Sequence, residues 1–380
     1  MKIVFVSNYY NHHQSALSES FYKKTEGQFY FIQTEHMSEE RKQLGWGRES
    51  LPEFVKESYL DEATLQECLS LINDADVVIA GSAPNSMLKQ RLKEKKLVFR
   101  YSERIYKNWK NTITLPLRFF KYHTYNYCSK NVYLLCASAY AAKDYAKTLN
   151  YINKSFKWGY FPEVKEYEDI DDLIEKKENN SILWVARFID WKHPEVPIAV
   201  AKQLKAEGYK FQLNMIGSGP MEEDISAMIK KEGLEDCVSL LGSMPPDKVR
   251  EHMEKSEIFL LTSDKNEGWG AVLNEAMNSA CAVISNDATG AAPYLIEDGT
   301  NGFLYNGGNF RQITEIIKKL SEDDSLRQFV GKKAYQSMRE IWNADLASER
   351  FITLAEKMLI GEKEYNIFNN GPLSYAINKD

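Results

Sequence analysis

Short apolar runs alternate along this chain with longer segments whose apolar residues recur at the helical period. Lys2 to Ser7 (KIVFVS) and Ile258 to Leu261 (IFLL) are typical of the short runs, which are apolar at consecutive positions. Runs of this kind indicate strands that are buried on both faces, as in parallel sheets. Strands are predicted at 2–7, 29–33, 75–80, 96–101 and 132–136, and in a second series at 182–186, 211–216, 237–241, 258–261, 282–285 and 302–305.

Helices are predicted between these strands. Strands that alternate with helices indicate a parallel sheet that is covered on both faces. We therefore predict an α/β fold of two doubly wound, Rossmann-like domains, with a ligand in a cleft at the carboxyl ends of their strands. The predicted helices are Gln14 to Lys24, 61–73, 85–94, one from Pro116, 139–149, 195–207, 221–232, 246–255, one after Gly270, 310–320, 324–341 and 345–359.

The domain boundary is predicted where this alternation stops. Gly159-Tyr160-Phe161-Pro162 interrupts the pattern, and the acidic stretch 163–178 offers few core residues. We place the first domain at 1–165 and the second at 176–344. Within the first domain, residues 35–60 show no clear period and are predicted to form a long excursion, which is often functional or flexible.

Composition excludes several classes of protein. With 43% hydrophobic and 27% charged residues over 380 positions, the chain is typical of a soluble globular protein. No apolar run approaches the length of a membrane span, and the N-terminus enters a strand without a signal-peptide pattern. The five cysteines are scattered, and the six histidines lack metal-ligand spacing. We expect a cytoplasmic protein with buried, reduced thiols and no metal site.

A basic segment, 89–130, is hidden within the net charge of −6. It contains twelve Lys or Arg and two acids, a local charge of +10, so the rest of the chain sums to −16. It also holds nine aromatic residues, including Trp109. Two interpretations stay open: contact with an anionic membrane surface, or a solvated helix face whose aromatic residues are core. Nucleic acid is not expected as a partner, because no nucleic-acid-binding module accompanies the segment.

The strongest chemical signal lies in the loop and helix start after the strand 258–261. Gly268 and Gly270, which flank Trp269, let the backbone approach a ligand closely. The amides near Gly270, Ala271 and Val272 would stand at a helix N-terminus, where backbone donors and the helix dipole suit a phosphate.

Two glutamates in the same stretch have the right chemistry for hydroxyl groups. Glu275 shares a helix face with Ala271 and Val272, and its carboxylate can accept hydrogen bonds from a ribose diol. Glu267, at the mouth of the loop, can do the same for a second polyol. Phosphate and diol recognition in one loop favours a nucleotide sugar, and the alternative is a pair of solvated surface carboxylates.

Other strand ends supply possible partners for this loop. Arg187 ends the strand 182–186 and Lys192 follows five residues later, so both cations are candidates to clamp a diphosphate, whose negative charge grows on departure. Gly217 and Gly219 form only part of a dinucleotide fingerprint, so a dehydrogenase is not favoured. The loop around Met244 could offer backbone groups to a base edge.

As an ordered set spanning about 120 residues, these motifs resemble the nucleotide-sugar-binding half of family 4 retaining glycosyltransferases, which have the GT-B fold. The resemblance implies that Glu267 contacts the hydroxyls of the donor sugar, Glu275 the ribose, and Arg187 with Lys192 the diphosphate. It further implies retention of anomeric configuration, no metal, and a C-terminal segment, 345–380, that returns to the first domain. The matching motifs are Arg187 with Lys192, Gly217 to Pro220, Glu267 to Gly270 through Met277, and Glu297 to Phe303.

The first half departs from that family. Many members have a glycine-rich loop after the first strand, whereas this chain has Asn8-Tyr-Tyr-Asn-His-His-Gln14. Many also have a histidine at the end of the fourth strand, where this chain has none. Glu103, Ser102 and His13 are candidates for its catalytic role, and the role could be absent. The alternative for His13 and its neighbour His12 is that they cap a helix start.

Taken together, the resemblance and the motifs predict a retaining glycosyltransferase, peripheral on the inner face of the membrane if the segment 89–130 binds lipid. It would move a sugar from a nucleotide-sugar donor, a UDP-sugar by resemblance, to a glycan or lipid-linked acceptor in surface polysaccharide biosynthesis. No cofactor is expected beyond this co-substrate. The alternatives are a GT-B sugar-nucleotide epimerase and a non-catalytic membrane-docking subunit that only binds nucleotide.

Overall fold

In the computed structural model, which describes residues 1–38, 50–107, 115–362 and 364–376, the chain forms two parallel sheets with helices. Each sheet belongs to its own compact unit. Unit 1 comprises Met1–Glu163 and Trp342–Asp380, and unit 2 comprises Val164–Ile341. The doubly wound α/β architecture predicted from the alternating pattern is therefore present in both halves.

The sheet of unit 1 has seven strands, all paired in parallel, in the order β3-β2-β1-β4-β5-β6-β7. Its strands are β1 Ile3–Ser7, β2 Phe29–Gln33, β3 Val55–Glu57, β4 Val77–Ala80, β5 Val98–Ser102, β6 Val132–Cys136 and β7 Ser155–Lys157. Its helices are α1 His12–Lys24, α2 Glu62–Asp74, α3 Lys89–Lys93, α4 Leu115–Tyr125, α5 Ala141–Ala146 and, from the end of the chain, α14 Ala344–Leu359.

The sheet of unit 2 has six parallel strands in the order β10-β9-β8-β11-β12-β13. Its strands are β8 Glu178–Val185, β9 Gln212–Ile216, β10 Val238–Leu240, β11 Ser256–Leu261, β12 Ala282–Asn286 and β13 Phe303–Tyr305. Its helices are α6 Ile170–Glu175, α7 Glu195–Ala206, α8 Glu222–Lys231, α9 Pro246–Lys255, α10 Val272–Asn278, α11 Ala292–Leu295, α12 Phe310–Glu322 and α13 Asp324–Glu340.

Strand order in unit 2 fixes where a ligand site can form. The order reverses between the neighbouring strands β8 and β11, so this pair is the topological switch point of the sheet. In open α/β sheets, ligands bind beyond the carboxyl ends of the strands at such a point. The chain leaves these two strands at Val185 and Leu261, so the following loops, 186–194 and 262–271, form the candidate site.

Two stretches differ from the sequence-based prediction. Helix α1 begins at His12 because Asn11 caps it, its Oδ1 accepting a hydrogen bond from the His13 amide at 2.9 Å. The two histidines therefore occupy the first helical turn, and neither is the capping residue. The acidic stretch 163–178 is also structured. It contains α6 and packs into unit 2, with the Lys165 amide 2.8 Å from Asn278 Oδ1.

Three further predictions from the sequence concern membrane-spanning helices, the cysteines and the segment 35–60. None of the helices within the described ranges combines the length and the apolar character needed to cross a bilayer. All five cysteines are free; four are buried, but Cys128 is exposed. Its exposure was not expected; Cys128 lies at the end of the turn that follows α4, next to Tyr127, which is also exposed. Of the excursion predicted at 35–60, residues 39–49 lie outside the described residues, and 55–57 form β3.

Candidate functional site

The loop after β11 organises the site through one aspartate. Asp264 Oδ1 accepts a hydrogen bond from the Asn266 amide at 2.7 Å, and the Asp264 carbonyl accepts one from the Glu267 amide at 3.0 Å. Farther along, Gly270 has φ +94°, and a Cβ there would lie 3.1 Å from Thr289 Cγ2. The loop is therefore held in one tight conformation that presents Glu267. Helix α10 has only seven residues, so its dipole is modest.

Trp269, which the sequence groups with the donor-binding residues, has a buried side chain. It is 1% exposed, and its Nε1 donates to Asn274 Oδ1 at 2.9 Å. A ring in this environment contributes to the protein core, so only the backbone of Trp269 remains a candidate for ligand contact.

Lys192 and Glu267, predicted from separate motifs, are in direct contact. The Lys192 ammonium donates to Glu267 Oε2, and the two side chains are only 14% and 16% exposed. Arg187 is exposed, with its guanidinium 5.8 Å from the centre of the Trp191 ring. The structure thus joins the cation loop after β8 to the glutamate loop after β11.

Gly217 and Gly219 are required by a close approach between protein segments. Gly217 has φ +138°, and a Cβ there would stand 1.9 Å from the Ala186 carbonyl oxygen. At Gly219, with φ +154°, a Cβ would stand 2.6 Å from the Phe188 oxygen. These glycines let the loop after β9 pack on the loop that carries Arg187. Their structural role is sufficient to account for both.

Hydrogen bonds connect the loop after β9 to the loop that contains Met244. The Gly217 amide donates to the Gly242 carbonyl at 2.9 Å, and the Ser218 and Ser243 hydroxyls lie 2.7 Å apart. Met244 itself is half-buried. The three loops after β8, β9 and β10 therefore form one continuous surface beside the Lys192–Glu267 pair.

Glu275 is half-buried on α10, and a basic residue missed by the sequence lies next to it. Burial raises the pKa of the Glu275 carboxyl, and the positive charge of Arg250 opposes the shift. Arg250 Nη1 donates to the Glu275 carbonyl at 3.1 Å and to Asn278 Oδ1 at 2.9 Å. Arg250 therefore anchors the helix that carries Glu275. Its place on α9, far away in sequence, concealed this contact.

A second missed residue is His193, which directly follows Lys192. Its Nδ1 lies 2.8 Å from Glu195 Oε1, and its Nε2 lies 3.5 Å from Asp264 Oδ2. A pocket of about 170 Å³ opens beside it, lined also by Asn286 and Tyr305. Ligand pockets usually exceed about 300 Å³, so this one is smaller than a typical ligand pocket.

In unit 1, two catalytic candidates share a neighbour that the sequence did not reveal. The Tyr160 hydroxyl donates to Glu103 Oε1 at 2.7 Å, and the Tyr160 ring stacks 5.9 Å from the His13 ring. Tyr160 belongs to the stretch that we interpreted only as a domain break. It brings Glu103 and His13 into one cluster, whereas Ser102 points to the Tyr145 hydroxyl, 3.0 Å away.

The electrostatics of this cluster make His13 a poor proton acceptor. Burial lowers the pKa of His13 to about 3, and the adjacent His12 charge adds to the effect. A general base works best when its pKa lies near the operating pH. His13 is therefore a neutral hydrogen-bonding group at neutral pH and a weak base.

The basic segment 89–130 divides into a buried and an exposed part. Arg91 is fully buried and donates to the carbonyls of Ile72, Ala75 and others, and Arg100 is also buried. These arginines are structural. On α4, by contrast, Leu117 and Phe120 are 73% and 65% exposed. Trp109 lies outside the described residues.

Comparison with known proteins places unit 2 beside a known family of enzymes. Residues 165–337 match the family model described as glycosyl transferases group 1. The amylovoran biosynthesis glycosyltransferase AmsK of Erwinia amylovora is 30% identical over 182 residues, 47% of this chain and 44% of that protein. The N-acetyl-alpha-D-glucosaminyl L-malate synthase of Bacillus anthracis is 30% identical over 157 residues, 41% of this chain and 40% of that protein. The chain thus spans less than half the length of these curated relatives.

Solved structures match over almost the whole chain. Anabaena Alr3699/HepE in complex with UDP has a TM-score of 0.68 at 14% identity, covering 94% of this chain and 100% of that one. The pneumococcal O-GlcNAc transferase GtfA in complex with UDP and GlcNAc has a TM-score of 0.65 at 11% identity, covering 95% and 99%. At such identities the likeness shows the fold alone, and the predicted GT-B fold class is confirmed.

Proposed function

We propose that the protein transfers a sugar from a UDP-sugar to a glycan or lipid-linked acceptor, because residues 165–337 match the family model described as glycosyl transferases group 1. The product would belong to polysaccharide biosynthesis, as the name of AmsK suggests for that relative. UDP is proposed because HepE and GtfA were both solved with it. The observation that carries the proposal is the contact between Lys192 and Glu267 at the switch point of unit 2.

Donor binding would exchange the partners of this ion pair. Lys192 would turn from Glu267 to the phosphate oxygens, and Arg187, which is exposed, would add a planar fork of donors. Glu267 would then accept hydrogen bonds from hydroxyls of the donor sugar, and Glu275 from the ribose diol. Each polar group of the donor would thus find a partner of suitable chemistry.

In the transfer step, the bond from the anomeric carbon to the diphosphate oxygen breaks and a bond to the acceptor oxygen forms on the same face. The electron pair of the broken bond leaves with UDP, and the acceptor hydroxyl loses its proton to a basic oxygen. The mechanism proposed is retaining, because the new bond forms on the face that the diphosphate leaves. It is proposed to be metal-independent, because Lys192 and Arg187 compensate the negative charge that grows on UDP. Within unit 1, Glu103, held by Tyr160, stays the candidate for a catalytic role.

A panel of nucleotide sugars tests the proposal. The correct donor at about 100 times its Kd should add about 2.7 kcal/mol to the free energy of unfolding, which a rise in melting temperature would reveal. Turnover should release UDP only with an acceptor present, and proton NMR should show the retained anomer. Conversion of the sugar without an acceptor would instead indicate an epimerase, and binding without turnover over a broad acceptor panel a non-catalytic subunit.

Variants of the glutamates supply the second arm of the test. Replacing both Glu267 and Glu275 by Ala should abolish donor binding and transfer. Glu251→Ala removes an exposed carboxylate from the same unit and serves as the control, with activity unchanged. Full turnover by the double variant would contradict the proposal.

We also propose that α4 binds an anionic membrane surface. This helix exposes Leu117 and Phe120 three residues apart, with Lys121 exposed beside them. Apolar side chains flanked by basic ones bind the headgroup region of anionic bilayers. A lipid-linked acceptor would be encountered at such a surface.

A further inference from the structure

His193 has a backbone conformation that is uncommon for a residue other than glycine. It ends the short 3-10 turn Asp190–Lys192 with φ +51° and ψ +56°, in the left-handed region. For a residue other than glycine this conformation is unfavourable and persists only where surrounding contacts require it. The contacts of the His193 side chain offer a physical reason for this backbone conformation.

The imidazole of His193 connects the two loops of the candidate donor site. In the imidazolium form both ring nitrogens donate, one to Glu195 Oε1 at 2.8 Å and the other toward Asp264 Oδ2 at 3.5 Å. Glu195 is the first residue of α7, which follows the loop that contains Lys192. Asp264 belongs to the loop that contains Glu267. The ring is thus placed between one carboxylate on each side.

Asp264 is the residue through which this contact reaches Glu267. Its carbonyl accepts the Glu267 amide at 3.0 Å, and its Oδ2 accepts from Asn266 Nδ2 at 3.1 Å. A change in the charge or position of the Asp264 carboxylate is therefore expected to shift the backbone of Glu267, three residues away.

The backbone of Lys192 is connected to the same loop. The Asp264 amide donates to the Trp191 carbonyl at 3.0 Å, and the Thr262 hydroxyl donates to the Lys192 carbonyl at 2.5 Å. Together with the His193 ring, these bonds hold the two loops next to each other. The ion pair between Lys192 and Glu267 joins the same two loops.

The charges around His193 favour its protonated form. The hydrogen bond with Glu195 raises the pKa of His193, burial opposes this, and the charges of Glu195 and Asp264 add to the rise. Burial would raise the pKa of Glu195, but the bond from His193 leaves that pKa below its ordinary value. The other ionisable groups nearby are Lys192 and Asp190 on its own loop and, lining the small pocket, Lys265 and Tyr305.

We propose that His193, as an imidazolium, is a positioning residue that holds Lys192 and Glu267 in the arrangement that binds the donor diphosphate. This inference rests on the proposed function, because it assumes that this pair meets the donor. It adds a residue that touches neither the donor nor the acceptor and acts through Asp264. Loss of the proton weakens the ties to both carboxylates, so donor affinity falls as pH rises through the pKa of His193.

The test is calorimetric titration with UDP from pH 6 to pH 9 on the full chain and on His193→Asn. Asparagine tolerates the left-handed conformation but carries no charge at any pH. We expect His193→Asn to bind UDP about five-fold to ten-fold more weakly than the parent at pH 6, the size of a modest coupling between sites. The ratio should approach one at pH 9. Because it is taken at each pH, the titration of UDP itself cancels.

Two further variants keep the test decisive. Asp264→Asn keeps the side-chain oxygen and removes the charge, so it should reduce the pH dependence in the same way even if His193→Asn folds poorly. His252→Asn changes a histidine elsewhere in the same unit and should leave the ratio at one. A ratio that is constant with pH, or equal to one throughout, would overturn the inference. If the parent itself binds neither UDP nor any UDP-sugar, the proposed function fails first.

Discussion

At the scale of single residues, the Lys192–Glu267 contact has a structural role as an ion pair and a proposed role in donor binding. Experiment can separate the two. In the structure each side chain neutralises the other at 14% and 16% exposure. Replacing one partner leaves the other as a largely buried, unpaired charge. The structural value of the pair and its value for donor binding therefore predict different outcomes for the double variant.

We predict that Lys192→Met and Glu267→Gln each lower the free energy of unfolding by about 1–3 kcal/mol, because each leaves a poorly solvated group unsatisfied. The double variant should lose less than the sum, with a coupling of about 1–2 kcal/mol in urea unfolding. It should nevertheless bind no donor. The exposed pair of Lys205 with Asp236 is the matched control and should show no measurable coupling. Additive effects at Lys192 and Glu267 would show that the pair is not structural.

The glycines of the loop after β9 lead to a second prediction. Gly217→Ala should lower the free energy of unfolding by at least about 3 kcal/mol, because its Cβ would stand 1.9 Å from the Ala186 oxygen. Gly208→Ala is the control: its φ is +82° but no atom lies within 4 Å, so about 1 kcal/mol is expected from backbone strain alone. Thermal unfolding of both variants measures the difference. Equal losses would mean that the close packing of the two loops is not what requires Gly217.

The candidate site residues show how far a sequence can predict a functional site. Arg187, Lys192 and Glu267 could be named because each follows an apolar strand, and strand ends in a parallel sheet converge. His193, Asp264, Arg250 and Tyr160 could not, because their roles depend on side-chain contacts between segments that share no periodic signal. Residues 193 and 264, for instance, meet only once the sheet order places β8 beside β11.

At the scale of elements, the apolar runs predicted the strands well because buried parallel strands are apolar throughout. β2 and β6 have the predicted bounds, and β11 begins two residues earlier, at Ser256. The misses are short or polar elements. Helix α6 buries only Ile174, so an acidic sequence with no periodic apolar face forms it, and three-residue strands such as β7 carry too few residues for a pattern.

Helix α4 is the element on which the membrane proposal depends. We predict that the chain sediments with vesicles rich in phosphatidylserine and not with neutral vesicles. Leu117→Ser combined with Phe120→Ser should reduce the bound fraction several-fold, because both exposed side chains supply the buried apolar area. Leu149→Ser, which changes another exposed apolar residue of unit 1, is the control. Equal binding to neutral and anionic vesicles would remove the electrostatic part of the proposal.

At the scale of the whole molecule, the candidate site residues are divided between the two units. Unit 2 contains the donor candidates Arg187, Lys192, Glu267 and Glu275, and it has a hydrophobic core of its own that runs from Ile182 to Val330. Unit 1 contains Glu103, His13 and the helix α4. Its final helix, α14, packs on α1, with the Phe351 ring 5.3 Å from that of Phe21. The resemblance of the motifs to a known family covers only unit 2, which explains why the function of unit 1 is harder to predict from the sequence.

This division predicts that residues 164–341 expressed alone fold and bind UDP but transfer no sugar. The fragment keeps the whole six-stranded sheet, and domains of about this size with a continuous core unfold cooperatively. Urea unfolding should show one transition, and calorimetry should give a UDP affinity within about ten-fold of the full chain, since a factor of ten corresponds to only about 1.4 kcal/mol. The same fragment with Lys192→Met and Glu267→Gln is the control that should not bind. A folded fragment that fails to bind UDP, while the full chain binds it, would mean that residues of unit 1 complete the nucleotide site.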